Sequence, residues 1–199
     1  AAWGTGAAIA LAIVVGILLP RWAQRAFARG QLAAARRRYR ATGATALTRR
    51  RRHHARISIA ACHLAAGDHR DADAALSAID VGELDVDGRA VWLNNRAYAA
   101  LRCSELGVSA DAALAWADEA AGLRPDVPAI GHTRGLALLE VGRLDDAIRV
   151  LEGLWGKDEL APQLEAERCA DLARAWRAKG HADYAADYEA RGRRFGVAR

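Results

Sequence analysis

Five glycines constrain this chain more than any other feature. Gly30, Gly67, Gly107, Gly142 and Gly180 are separated by 37, 40, 35 and 38 residues, and a small residue follows each, at Ala35, Ala72, Ala113, Ala147 and Ala185. Glycine ends a helix cheaply because it can adopt a positive φ. A small residue one turn and a half later suits the point where two antiparallel helices approach most closely. Around Gly142 the pattern is complete. Gly135, Leu136, Leu138 and Leu139 form an apolar face before the turn, and Ala147, Ile148, Leu151 and Leu154 follow it at helical spacing. A period of this length predicts stacked helix pairs, each of which buries its apolar face against its neighbours. With 52% hydrophobic residues, abundant alanine and only 4 prolines, helix is favoured almost throughout.

The residues at these spacings carry a resemblance. Gly135, Gly142, Ala147, Leu151 and Leu154 form one unit; Trp92, Ala113, Ala120 and Arg124-Pro125-Asp126 belong to the unit before it; Ala60, Gly67, Ala72 and Leu76 belong to an earlier one. Together they resemble the tetratricopeptide repeat family, and Trp92-Leu93-Asn94-Asn95-Arg96-Ala97-Tyr98 looks like a variant of its first helix in bacterial members. The resemblance covers 56–195, with 21–47 as a degenerate extra unit. The last unit, with Ala173, Trp176, Gly180 and Ala185, is looser, having Glu189 and Gly192 where the best unit has Leu151 and Leu154. It implies an all-α, right-handed α-solenoid that acts as a scaffold for a protein partner. It also implies a groove lined by the first helix of each pair. By register that groove takes in Asn94, Tyr98, Leu101 and Arg102, then His132, Leu136 and Leu139, then Arg174 and Arg177. Such a wall suits a peptide or helix with acidic residues. The full Lys/Asn clamp for a C-terminal carboxylate is not matched, and a groove left empty or filled by the chain's own C-terminal helix is the alternative.

Charge divides the chain. All twelve arginines of the first 67 residues fall between Arg21 and Arg56 with no acidic residue among them, whereas the remainder has 17 basic against 24 acidic residues. Upstream of the arginines, Trp3 to Leu19 is uncharged, and a helix from Trp3 to Trp22 would rise about 28 Å, close to the thickness of a bilayer core. The expected organisation is therefore a transmembrane helix over 1–20, a basic juxtamembrane hairpin over 21–55 and a repeat domain over 56–199. Arginines stay on the cytoplasmic side, so the N-terminus is expected outside and the repeats inside, at the cell inner membrane. A cleaved signal peptide ending near Ala26-Phe27-Ala28 and a buried soluble helix are the rival readings of the apolar run. Arg21, Arg25, Arg29, Arg36, Arg37, Arg38, Arg49, Arg50, Arg51 and Arg52 are expected to face anionic lipid. Duplex nucleic acid is the competing anion.

Catalytic chemistry has no foothold in the sequence. There is no phosphate-binding glycine loop, nucleophile elbow or Cys-x-x-Cys pair, so neither an enzyme, a cofactor nor a small-molecule substrate is expected. His53, His54, Cys62, His63 and His69 are of types that suit zinc, but their spacing matches no standard ligand pattern, and no metal is assigned to them. Asp71, Asp73, Asp145 and Asp146 sit at helix starts, where the helix dipole accounts for them. Cys62, Cys103 and Cys169 read as reduced thiols inside helices. Two further roles stay open from sequence: an accessory subunit of a larger membrane complex, with Gly4, Gly6 and Gly16 allowing close helix approach, and a chaperone-like module outside the cytoplasm.

Overall fold

A computed structural model describes residues 14–154 and 160–195. A π-helical turn, Val14–Leu18, leads into α1 (Leu19–Ala28), followed by α2 (Leu32–Ala44), α3 (Arg49–Ala66), α4 (His69–Ser77), α5 (Val86–Arg102), α6 (Ala110–Leu123), α7 (Pro128–Glu140), α8 (Leu144–Glu152), α9 (Pro162–Ala178) and α10 (Ala182–Phe195). Consecutive helices pair as hairpins, and there is no strand among the described residues. The final hairpin has the bounds expected from the sequence, Pro162 to Phe195.

The five turn glycines are the positive-φ residues among those described, with φ of 71°, 82°, 67°, 78° and 84° along the chain. At four of them one hydrogen-bond pattern recurs. Gly142 N–H donates to the Leu139 carbonyl and Arg143 N–H reaches back to Leu138, a pairing repeated at Gly30, Gly67 and Gly180. This motif satisfies carbonyls that a helix end would otherwise leave bare. At Gly107 the turn differs, because a short 3₁₀ segment, Ser104–Leu106, is inserted after α5. The small residue after each glycine is fully enclosed: Ala35, Ala72, Ala113, Ala147 and Ala185 are 0–1% exposed. In the best-formed unit Gly135 makes a further close approach, to Leu151, since a Cβ there would lie 2.5 Å from Leu151 Cγ.

By its contacts the chain forms two compact units, Ala1–Asn95 and Arg96–Arg199, with the boundary inside α5. The first holds two clusters. Ala23, Ala26, Ala35, Tyr39 and Cys62 pack together, and Ile57, Ala60, Ala72, Leu76 and Ile79 form a second group against which Trp92 rests, its indole donating to the Leu76 carbonyl at 3.0 Å. The basic hairpin expected over 21–55 thus shares its core with Cys62 of α3. In the second unit Leu114, Ala117, Leu138, Ile148, Leu151, Leu172 and Ala175 make one cluster. Alanine contributes little apolar area, so these cores depend on close backbone approach more than on large side chains.

No helix among the described residues is long and apolar enough to cross a membrane. α1 is 10 residues long and carries Arg21 and Arg25, which is why it does not qualify. Most of the Trp3 to Leu19 expectation falls on residues 1–13, outside the described residues.

Two of the helical glycines, Gly135 and Gly122, should respond oppositely to alanine. An added methyl at Gly122 would meet nothing within 4 Å, so Gly122→Ala should gain about 0.5–1 kcal/mol from helix propensity. Gly135→Ala forces a methyl onto Leu151 and should lose about 1–3 kcal/mol despite the same propensity gain. Urea titrations of both variants read the signs directly.

Candidate interaction surfaces

The first unit carries the arginines, and its structure sorts them into two sets. Arg36 reaches His63 at 3.3 Å and Asp68 at 4.0 Å. Arg38 donates to the Trp22 carbonyl at 3.0 Å, Arg52 to that of Ala46 at 3.0 Å, and Arg56 to that of Ala78 at 2.9 Å. Arg49 pairs with Glu83 at 3.7 Å, and Arg50 with Asp85. These side chains secure helix ends and turns within the unit. Among the described residues, the side chains of Arg21, Arg25, Arg29, Arg37, Arg40 and Arg51 have no hydrogen-bond or ion-pair partner. Arg21, Arg25 and Arg29 recur every fourth residue of one stripe that runs from α1 to its C-cap, and Trp22 beside them is 41% exposed.

Of the groove residues read from the sequence, Asn94 belongs to the first unit, is half-buried and donates to the Asn95 amide oxygen at 3.2 Å. The rest lie in the second unit. His132 and Leu136 are wholly buried and Leu139 is 9% exposed, so these three sit inside the packing of α7 and present no surface to a partner. Tyr98 donates to Glu167 at 2.6 Å, and Arg102 approaches the same oxygen at 3.1 Å and Asp171 at 3.6 Å. His132 Nε2 lies 3.3 Å from Asp171. Arg174 pairs with Glu140 at 2.7 Å and with Asp171 at 3.4 Å, and Arg177 pairs with Glu189. The register brings Tyr98, Arg102, His132 and Arg174 together around two acids, Glu167 and Asp171, that the sequence reading passed over. Their cue was a pair of acids four apart on the first helix of the last hairpin, the element that supplies Arg174.

Burial, aided by the hydrogen bond to Glu167, pushes the Tyr98 phenol well above its ordinary value. Burial opposes the Arg102 charge, but Asp171, Tyr98 and Glu167 together outweigh it and hold the guanidinium more firmly protonated. The wall is an internally paired network, and its arginines are not loose charges.

Known structures have this arrangement of helix pairs. A thermophilic TPR protein of Thermus thermophilus matches with a TM-score of 0.64 and 17% identity over 90% of this chain and 91% of that one. A structure of Podosopora anserina kinesin light chain TPR-like repeats matches at 0.56 and 18% identity, over 89% and 92% of the respective chains. The fold is that of tetratricopeptide repeats. No family model matches the sequence, and no curated protein matches it either.

Within this repeat fold, metal-ligating side chains converge at one place among the described residues, where His63, Asp68 and Asp71 meet at the α3–α4 turn. The Arg36 guanidinium faces the same imidazole nitrogen at 3.3 Å, so a cation there would meet a fixed positive charge. His53, His54, Cys62 and His69 do not join that group. Cys62 and Cys169 are buried and Cys103 is partly so; burial raises the thiol pKa of the first two, which keeps them protonated and unreactive. Asp146 lies in the first turn of α8 and accepts from Arg143 and Arg149, which lower its pKa.

One buried charge was missed altogether. Arg168 is 1% exposed, donates to Glu165 at 2.9 Å through Nε, and donates to the Leu151 carbonyl at 2.9 Å, tying α9 to the end of α8. Arg168→Met should cost about 3–5 kcal/mol by stranding Glu165, and adding Glu165→Met should recover more than half of that loss, a cycle measurable by denaturant unfolding. Arg168→Lys should not substitute, lacking the planar fork.

A second expectation concerns alkaline pH. Tyr188 donates to Glu152 at 2.8 Å, and burial with that bond lifts its pKa to about 12, as burial also lifts Tyr98. The folded state therefore keeps protons that the unfolded state releases near pH 10. Stability is full below pH 10 and falls as pH rises towards 12. Urea midpoints at pH 9, 10 and 11 should fall in sequence, and Tyr98→Phe with Tyr188→Phe should flatten that slope.

Proposed function

We propose that this chain is a non-enzymatic scaffold that holds a protein partner at the inner face of the cytoplasmic membrane, with its basic first unit against anionic lipid. One observation carries the membrane side of this reading: of the twelve arginines between Arg21 and Arg56, six have side chains without a partner among the described residues while the other six are secured. Each arginine near an anionic leaflet contributes about 1 kcal/mol, so six give a firm but salt-sensitive attachment. Exposed Trp22 suits an interfacial depth, and the uncharged Trp3 to Leu19 run that precedes it in sequence suits an anchor. On this reading the N-terminus lies outside and the repeats inside. The repeat fold supports the partner-binding side, since stacked helix pairs present extended surfaces for protein ligands. Access to Tyr98, Arg102 and Arg174 would then require a partner's acids to compete with Glu167 and Asp171.

Flotation of the full chain with vesicles tests the lipid side. Vesicles rich in phosphatidylglycerol should retain it at least about tenfold better than neutral ones at low salt. Arg21→Gln, Arg25→Gln and Arg29→Gln together should weaken that preference about tenfold or more. Equal retention by both vesicle types, or preferential capture by duplex DNA with a steep salt slope, would sink the lipid reading.

A further inference from the structure

The first unit contains a cleft of about 550 Å³ at the junction of the π-helical turn, the end of α2 and the start of α3. Its volume lies in the range of small-molecule sites. Gly16 and Pro20 line it, at the point where the apolar run of the sequence gives way to the arginines. Arg50, Arg51, His54 and Asp85 supply the charged wall.

The charge balance of that wall is uneven. Asp85 accepts from Arg50, lies 3.2 Å from His54 Nε2, and accepts the Gly88 N–H at 2.8 Å. Its two oxygens are thereby engaged, while the Arg51 side chain has no hydrogen-bond or ion-pair partner among the described residues. One net positive charge is left facing the cleft. The neighbouring hydroxyls do not offset it: Thr42 donates to the Arg38 carbonyl at 2.9 Å and Thr45 to that of Ala41 at 2.8 Å. The cleft therefore offers a charged donor and few free neutral ones, which favours an anion over a sugar or polyol.

We infer that this cleft binds a phosphate group through Arg51, with Arg50 and His54 beside it, and that the natural source is the headgroup of an acidic phospholipid. The choice of a lipid source rests on the membrane reading above; the phosphate chemistry does not. Gly16 and Pro20 place the cleft where the chain leaves its apolar stretch, which is the depth of headgroup phosphates if that stretch is inserted. Arg presents a planar fork that matches phosphate oxygens, so Arg51 can hold the group bidentately.

His54 is a built-in reporter. Burial lowers its pKa first, Arg50 and His53 on the same helix add to the effect, and Asp87 opposes it, with Asp85 in direct contact. A bound phosphate adds negative charge and should raise its titration midpoint. The experiment follows the His54 imidazole signals by NMR in the full chain, held in non-ionic detergent, against glycerol phosphate and, separately, dihexanoyl phosphatidic acid. Both should shift His54 saturably, the lipid at lower concentration, and Arg51→Gln should weaken the response about tenfold or more. If glycerol phosphate matches the lipid, the phosphate site stands with a soluble ligand as its source. If neither shifts His54, or Arg51→Gln responds as the parent does, the site is refuted. The vesicle experiment separates the two ideas. Loss of anionic preference with an intact His54 response removes the membrane reading alone, whereas anionic preference with a silent His54 removes the cleft alone.

Discussion

Two helices can lie side by side only as closely as the side chains between them permit. In this chain that limit is set by residues with almost no side chain. Ala35, Ala72, Ala113, Ala147 and Ala185 are enclosed on every side, and Gly135 meets Leu151 where even a methyl would not fit. Close helix pairing depends on that approach. The glycine turns contribute the second half of the constraint. By closing each hairpin with a backbone pattern that recurs at four of the five, they fix where along the next helix the small residue must fall.

This explains why so much of the fold was legible in the sequence. The five glycines and five alanines are a backbone signal, independent of what packs around them, and each was found in the predicted conformation or environment. The insertion at Ser104–Leu106 fits the spacing too, because Gly107 lies six residues, not five, before its alanine. The site was less legible. Register along a helix says which residues share a face, but not whether that face is filled. His132, Leu136 and Leu139 were read as wall residues and are enclosed instead, since α7 has neighbours on several sides. Nor does spacing reveal ion pairs between distant segments. Glu83 and Asp85 lie more than thirty residues from the arginines they meet, and Glu167 lies 69 residues from Tyr98.

The polar contacts have different purposes in the two units. The second unit holds, beside exposed ion pairs, a set of buried and half-buried contacts through which Arg168, Tyr98 and Arg102 specify how α9 docks. Buried charges of that kind tolerate little variation, because removing one partner leaves the other desolvated. In the first unit the ion pairs are largely exposed and individually weak. What they determine is which arginines remain unengaged, and hence the sign and position of its surface field.

The order of the chain adds a temporal asymmetry. Arg49 and Arg50 are synthesised before Glu83 and Asp85, and Arg50 precedes its carboxylate by 35 residues. At ordinary elongation rates of about 5–20 residues per second, that gap lasts about 2–7 s. For roughly the first half of it, until Asp68 is made, the stretch from Ala1 to Gly67 contributes its arginines and no acid to balance them. Whatever anionic surface lies nearest to the emerging chain has first claim on the segment, before the folded unit has taken half of those charges for itself.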